Sequence, residues 1–156
     1  MPLGLAGLPG PSLRKGVLTA GAYIVKIDQT PKKIMVVDDS NTIRRSAALF
    51  LEQSGLNVVL AEDGFDALTQ INEESPDLIF CDIAMPRLDG YQTCAIIKRN
   101  SLYAGVPVIM LSSKDGIFDR ARGRAVGSEH YLTKPFTKMQ LLEVIQQFSA
   151  VQGVSE

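Results

Sequence analysis

Asp77-Leu-Ile-Phe-Cys-Asp-Ile-Ala-Met-Pro-Arg-Leu-Asp-Gly90 is the stretch whose reading decides the architecture. An apolar run, Leu78 to Cys81, ends in an acid, Asp82, and a Pro and an Asp-Gly pair follow closely. A run this short, with β-branched and aromatic residues, fits a strand covered on both faces. Asp82 then stands at the strand's carboxyl end, the edge where open α/β sheets hold their ligands. A single acid there has a plainer reading as the cap of the next helix. Its meaning depends on what the other strands carry.

Working outward, the same pattern recurs. Ile34-Met-Val-Val37 is an apolar run ending in Asp38-Asp39 and reads as the first strand. Ser40 or Asn41 can cap a helix that places Ile43, Ala47, Phe50 and Leu51 at helical spacing, with Gly55 as its stop. Asn57 to Ala61 is the second strand. Asp63 opens a helix with Phe65, Leu68 and Ile71 on its inner face, and Pro76 separates it from the central stretch. Beyond Gly90, a third helix runs from about Tyr91 to Arg99 and buries Cys94, Ala95 and Ile97 or their neighbours. Val108 to Leu111 is the fourth strand, ending at Ser112-Ser113. A fourth helix covers about Gly116 to Val126, before Gly127. Tyr131-Leu132 is the fifth strand, ended by Lys134-Pro135. Thr137 and Gln140 have the form of a capping box for a fifth helix, which turns Leu141, Val144, Ile145 and Phe148 inward. Five strands alternating with five helices define an α/β doubly wound parallel sheet with right-handed crossovers.

Composition sets the outer limits. The chain of 156 residues suits one domain. Residues 1–32 are rich in Gly and Pro and read as a flexible extension, in which Val17 to Ile27 is a candidate short strand or docking segment. Residues 33–150 are the globular part and 151–156 a tail. A net charge of -1 supplies no general field for nucleic acid. Cys81 and Cys94 lie in apolar runs and read as reduced core thiols of a cytoplasmic protein. No apolar run is long enough to insert in a membrane. The first basic pair, Arg14-Lys15, follows the weak apolar segment, which is the wrong order for a signal peptide.

Polar residues gather where the strands end: Asp38 and Asp39, Asp82, Ser112, Lys134. Folding alone does not require them there. Three carboxylates meeting at one edge raise one another's pKa unless a cation sits among them. An all-oxygen set suits Mg2+. A hydroxyl and an ammonium beside Asp82 are donors for an oxyanion such as a phosphoryl group. An Asp in that setting is a nucleophile able to form an acyl phosphate.

Asp38-Asp39, Asp82-Ile-Ala-Met-Pro86-Arg-Leu-Asp-Gly90, Ser112-Ser113 and Lys134-Pro135-Phe136 together resemble the receiver domain of two-component response regulators. The resemblance spans about Lys33 to Phe148. It implies a flavodoxin-like (βα)5 fold with strand order 2-1-3-4-5. It implies that Asp82 accepts a phosphoryl group from a histidine kinase or phosphotransfer domain. Asp39 would bind Mg2+ directly, Asp38 through water, with Asp82 and the Ala84 carbonyl completing the protein ligands. Lys134 would pair with phosphoryl oxygens, before a Pro135 whose peptide bond is usually cis in such domains. Ser112 would swing toward the phosphoryl group and Tyr131 would turn inward, altering the face formed by the fourth helix, fifth strand and fifth helix, where an output protein binds. Ser113, being small, would leave the site accessible. Pro86 to Cys94, Leu111 to Asp119 and Tyr131 to Phe136 further resemble the single-domain regulators of type IV pilus twitching motility, of PilG type. The chain is then a monomer or a weak phosphorylation-dependent dimer, with neither nucleic acid nor membrane as partner.

Each residue alone has a blander role. Asp38-Asp39 can begin a helix, Ser112 can cap one, Tyr131 can be ordinary packing, and Lys134 can be a solvated lysine. His130 reads as a surface residue. Arg120, Arg122 and Arg124 read as a solvated basic stripe or a partner contact. Other functions fit less well. An aspartyl-phosphate phosphatase needs a second acid where Ala84 stands. A dinucleotide enzyme needs Gly-x-Gly-x-x-Gly after the first strand, where this chain has Asp38-Asp-Ser-Asn-Thr42. A DNA-binding regulator needs a further domain. A generic chemotaxis-type or other stand-alone receiver is the nearest alternative.

Overall fold

The computed structural model describes residues 31–113 and 118–148, and the backbone of three short strands before them. Those strands, β1 (Ser12–Arg14), β2 (Val17–Ala20) and β3 (Tyr23–Lys26), pair antiparallel in the order β1-β2-β3. The stretch expected as a strand or docking segment, Val17 to Ile27, overlaps β2 and β3. The 151–156 tail lies outside the described residues.

The larger sheet is built from β4 (Lys33–Val37), β5 (Asn57–Ala61), β6 (Leu78–Asp82), β7 (Val108–Ser112) and β8 (His130–Thr133). Between and after them come α1 (Asn41–Gln53), α2 (Gly64–Glu74), α3 (Gly90–Arg99), α4 (Arg120–Val126) and α5 (Lys138–Gln147). All neighbouring pairs are parallel and the order is β5-β4-β6-β7-β8. Counted from β4 this is 2-1-3-4-5, the flavodoxin-like order the resemblance implies. No helix among the described residues is long and apolar enough to cross a membrane.

Alternation along the strands divides the core into two layers. Met35, Val37, Ile79, Cys81, Val108 and Met110 pack with Ala67, Ile71, Tyr91, Cys94 and Ile97 of α2 and α3. Ile34, Val36, Leu78, Phe80, Ile109 and Leu111 pack with Ala47, Leu51, Leu141, Val144 and Ile145 of α1 and α5. Every residue of β6 and β7 is buried. These strands therefore read as continuous apolar runs rather than alternating ones.

The helices start where the sequence says. Ser40, Asp63, Asp89, Asp119 and Thr137 are the N-caps, each accepting a backbone N–H three residues on. Asp89 with Gln92, and Thr137 with Gln140, form reciprocal capping boxes. Two expected placements are corrected. Phe65 is 49% exposed. It lies two residues before Ala67, about 200° around the helix, so Ala67 and Ile71 take the inner positions and the Phe65 ring sits 5.2 Å from the Arg87 guanidinium carbon. The α4 helix begins at Arg120 behind its Asp119 cap rather than near Gly116; residues 114–117 lie outside the described set.

Two contacts fix the ends of the central strands. At the amino edge, the Asp77 carboxylate accepts the Lys32 and Lys33 amides at 3.0 and 2.9 Å, and the Asp77 amide donates to the Lys33 carbonyl at 2.8 Å. At the carboxyl edge, the Gly90 amide donates to the Ile83 carbonyl at 2.8 Å. A Cβ at Gly90 would run into the Asp82 carbonyl oxygen and lie 2.8 Å from the Ile83 Cα. Both obstacles are backbone and cannot swing away. Gly90→Ala is therefore expected to destabilise the fold by about 1–3 kcal/mol, as overpacking does. Gly105→Ala, where a Cβ meets nothing within 4 Å, should stay within roughly 0.5 kcal/mol of wild type. Urea denaturation of the two variants checks the difference. Equal stability would mean that the loop after β6 does not depend on this close approach.

Candidate functional site

Four strand ends meet at the carboxyl edge of the larger sheet. The β4–β6 register sets Val37 against Cys81, which brings Asp38 level with Asp82. The Asp38 amide continues the ladder by donating to the Ala61 carbonyl at 3.1 Å. Its Oδ1 accepts the Ser40 amide at 2.8 Å, and its carbonyl accepts Arg44 Nη1 at 2.6 Å. On the far side, the Lys134 amide donates to the Ser112 carbonyl at 2.7 Å, extending the β7–β8 pairing by one step. The Lys134–Pro135 peptide is cis.

From there the Lys134 ammonium reaches back across the edge. It donates to Asp38 Oδ2 at 3.0 Å and to Asp82 Oδ1 at 3.1 Å. Asp38 is fully buried and Asp82 is 3% exposed, while Asp39 faces solvent. One oxygen from each of Asp38, Asp39 and Asp82 lies within 4.8 Å of the others. A partly open, all-oxygen set of this kind suits a hard divalent cation rather than a thiophilic one.

The electrostatics follow from the crowding. Burial pushes the Asp82 carboxyl up to about 6, and the Asp38 charge and a hydrogen bond with Asp39 add to this while Lys134 opposes it. Burial disfavours the Lys134 ammonium, but its hydrogen bonds and charge attraction to Asp38 and Asp82 overcome that and raise its pKa. Burial also raises both cysteine thiols, Cys94 to about 11. Both cysteines are free and buried, as core residues are.

The remaining expected residues are placed as follows. Ser112 is buried at the end of β7, its hydroxyl directed to the Ser113 carbonyl at 3.4 Å. Ser113 is exposed. Ala84 is exposed in the tight turn where Met85 N–H donates to the Ile83 carbonyl at 3.2 Å. Tyr131 stands apart from the acids. It is half-buried, its ring stacks on Phe118 at 4.4 Å, and its hydroxyl accepts Arg120 Nη2 at 3.0 Å. Arg122 is not merely solvated: its guanidinium lies 4.4 Å from the Tyr91 ring and 3.6 Å from Asp89. His130 is half-buried, its ring 6.0 Å from that of Tyr131.

Several supports escape a reading of the sequence. Arg44 braces the turn after β4, and only its place one helical turn beyond Ser40 hints at it. Tyr91 accepts the Asp119 amide at 2.9 Å, tying the starts of α3 and α4 together. Arg87 adopts a left-handed backbone (φ 69°) and pairs with Asp63 at 2.9 Å.

A flavodoxin-like sheet with buried acids and a lysine at its carboxyl edge defines a class, and residues 34–146 match the family model described as response regulator receiver domain; the chain belongs to that family. Within it the chain is PilG-like. It is 58% identical over 127 residues to Protein PilG of Pseudomonas aeruginosa, covering 79% of this chain and 94% of that protein. It is 40% identical over 110 residues to the alkaline phosphatase synthesis transcriptional regulatory protein PhoP of Bacillus subtilis, of which it spans 45%. Among solved structures it resembles chemotaxis protein CheY4 of Vibrio cholerae, with a TM-score of 0.71, 32% identity and coverage of 75% of this chain and 98% of that one.

The raised Asp82 pKa has a signed consequence. An acid whose pKa is higher folded than unfolded favours the fold at low pH, and that contribution is lost as pH rises from about 3.8 through about 6. In EDTA, Asp82→Asn should therefore melt above wild type at pH 8, with the gain shrinking at pH 4.5. Added divalent cation should stabilise wild type more than the variant. Melting curves in which Asp82→Asn is no more stable than wild type at pH 8 would contradict the crowding of charge described here.

Proposed function

We propose that the chain is a cytoplasmic, stand-alone response regulator in which Asp82 accepts a phosphoryl group from a histidine kinase or phosphotransfer domain. The observation that carries this reading is the shared lysine: one ammonium bonded to both Asp38 and Asp82 beside an exposed Asp39. In the transfer, an Asp82 carboxylate oxygen attacks phosphorus, the P–N bond to the donor imidazole breaks, and the imidazole takes up a proton. Lys134 then shifts from the Asp82 carboxylate to a phosphoryl oxygen. Asp39, Asp82 and the Ala84 carbonyl would hold Mg2+ directly, and Asp38 would add its charge to the same cluster. When bound, Mg2+ offsets the negative charge that gathers on the phosphoryl oxygens.

The output step uses Ser112 and Tyr131. The Ser112 hydroxyl, bonded among the described residues only to a neighbouring carbonyl at 3.4 Å, has a better acceptor in a phosphoryl oxygen. Its swing leaves room for Tyr131 to turn inward, and the α4–β8–α5 face changes. This is a population shift driven by the extra hydrogen bonds of the phosphorylated state. Ser113, small and exposed, leaves water a path to the acyl phosphate. The chain assists its own phosphorylation and hydrolysis but turns over no separate substrate. With Ala84 where a phosphatase has its acid, no residue is placed to make that reaction general. The molecule is a monomer or a weak phosphorylation-dependent dimer.

Control of type IV pilus twitching motility is the output that the resemblance of Pro86 to Cys94 and Tyr131 to Phe136 supports, and the identity with PilG accords with it. Acetyl phosphate with Mg2+ should label wild type with a base-labile acyl phosphate, and Asp82→Asn should take up none. Label that persists in Asp82→Asn, or forms without a divalent cation, would overturn the assignment. Lys134→Ala should keep part of the labelling but lose the phosphorylation-dependent response of the partner; a variant that still responds takes Lys134 out of the switch. Deletion should impair twitching and spare flagellar swimming, whereas the reverse would make the output chemotactic.

A further inference from the structure

The basic stripe on α4 is not balanced by the domain around it. A cavity of about 260 Å³ lies against α4 and β8, its walls including Phe118, Arg120, Arg124, Glu129, His130 and Tyr131. The α4 sequence Arg-Ala-Arg-Gly-Arg-Ala-Val holds three arginines and no acid. Arg122 is engaged by Asp89 and the Tyr91 ring. Among the described residues Arg120 meets only the neutral Tyr131, through its hydroxyl at 3.0 Å and with its guanidinium carbon 5.3 Å from the ring centre. The Arg124 guanidinium makes no hydrogen bond or ion pair among the described residues. Among the described residues the one acid on the cavity wall is already used: Glu129 accepts the Lys98 ammonium at 3.2 Å and the Val108 amide at 3.0 Å.

Two exposed guanidiniums thus face one small cavity with no carboxylate bonded to either among the described residues, beside two aromatic rings, on a chain whose net charge is -1. Guanidinium matches a carboxylate fork in shape as well as charge. Arg and Tyr are residue types that concentrate binding energy at interfaces. We propose that this cavity docks an acidic segment of the output protein, with carboxylates on Arg120 and Arg124 and an apolar side chain against Phe118 and Tyr131. Two unpaired charges on one short helix are too few for the extended basic track that nucleic acid requires. The proposal rests on the reading of this face as the output surface and adds the chemistry of the partner. It also gives phosphorylation a defined effect there. When Tyr131 turns inward its hydroxyl leaves Arg120, and that guanidinium becomes available to a carboxylate.

The test uses the full chain and labelled synthetic peptides: one with Glu-Glu beside Phe-Leu, one with Lys-Lys and one with Gln-Gln in its place, and a short DNA duplex. Wild type should bind the acidic peptide best, and more tightly after treatment with acetyl phosphate and Mg2+. Arg124→Glu should weaken that binding about tenfold and should prefer the Lys-Lys peptide. Arg124→Gln should fall between. Arg99→Glu makes the same change of charge at an exposed site on α3 and should leave binding unaltered. Equal affinity for acidic and neutral peptides, an equal loss in Arg99→Glu, or preference for the duplex would overturn the proposal. Asp82 labelling is scored separately in every variant. Its absence in wild type would count against the phosphoacceptor reading, while the charge swap at Arg124 decides the docking chemistry without it.

Discussion

One ammonium between two buried carboxylates is the constraint on which the molecule depends. Two like charges about 4 Å apart repel by roughly 4 kcal/mol in the effective dielectric of a protein margin. Asp38 and Asp82 are held side by side with almost no access to water, so Lys134 must stand between them. Even so, the three acids outnumber the lysine, and the negative charge left over is what one divalent cation would neutralise. The site is therefore poised: it is held together well enough to fold, and it favours any arrival that brings positive charge to the carboxylates.

The acids do not set their own positions. Each strand is sandwiched between two apolar layers, and a slip of one residue would exchange the layers along its whole length. Burial of a large apolar side chain stabilises by about 1.5–3 kcal/mol, and a slip would forfeit several at once. The apolar register thus outweighs the repulsion at its end. Val37 must lie against Cys81, so Asp38 must lie beside Asp82. Ser112 must lie against Thr133, so Lys134 must emerge one residue beyond. A repulsive cluster is assembled by the packing of residues that never touch it.

This division explains what the sequence makes legible. Strand cores and caps are local signals: the run Leu78 to Cys81, the acid at Asp63, the Thr137–Gln140 box. The site acids are visible because they interrupt apolar runs at a fixed place. Phe65 shows the limit, since an aromatic residue in the first turn of a helix looks inward until Ala67 and Ile71 fix which face is buried. Arg44, Arg87 and the Tyr91–Asp119 contact are invisible for another reason. They join positions that only the folded sheet brings together, and nothing about an arginine or a tyrosine in the sequence says which backbone group it will meet. Arg120 and Arg122 look alike in sequence, yet one meets a phenol and the other a carboxylate.

The Asp77 clamp has a consequence for everything upstream of the sheet. By binding the Lys32 and Lys33 amides it fixes where the chain enters β4. That doorway is at the amino edge, and the acids are at the other end of the same strand, five residues away, which is roughly 16 Å. A tether, label or fused domain joined ahead of Lys32 is therefore attached at the opposite end of β4 from the acid cluster.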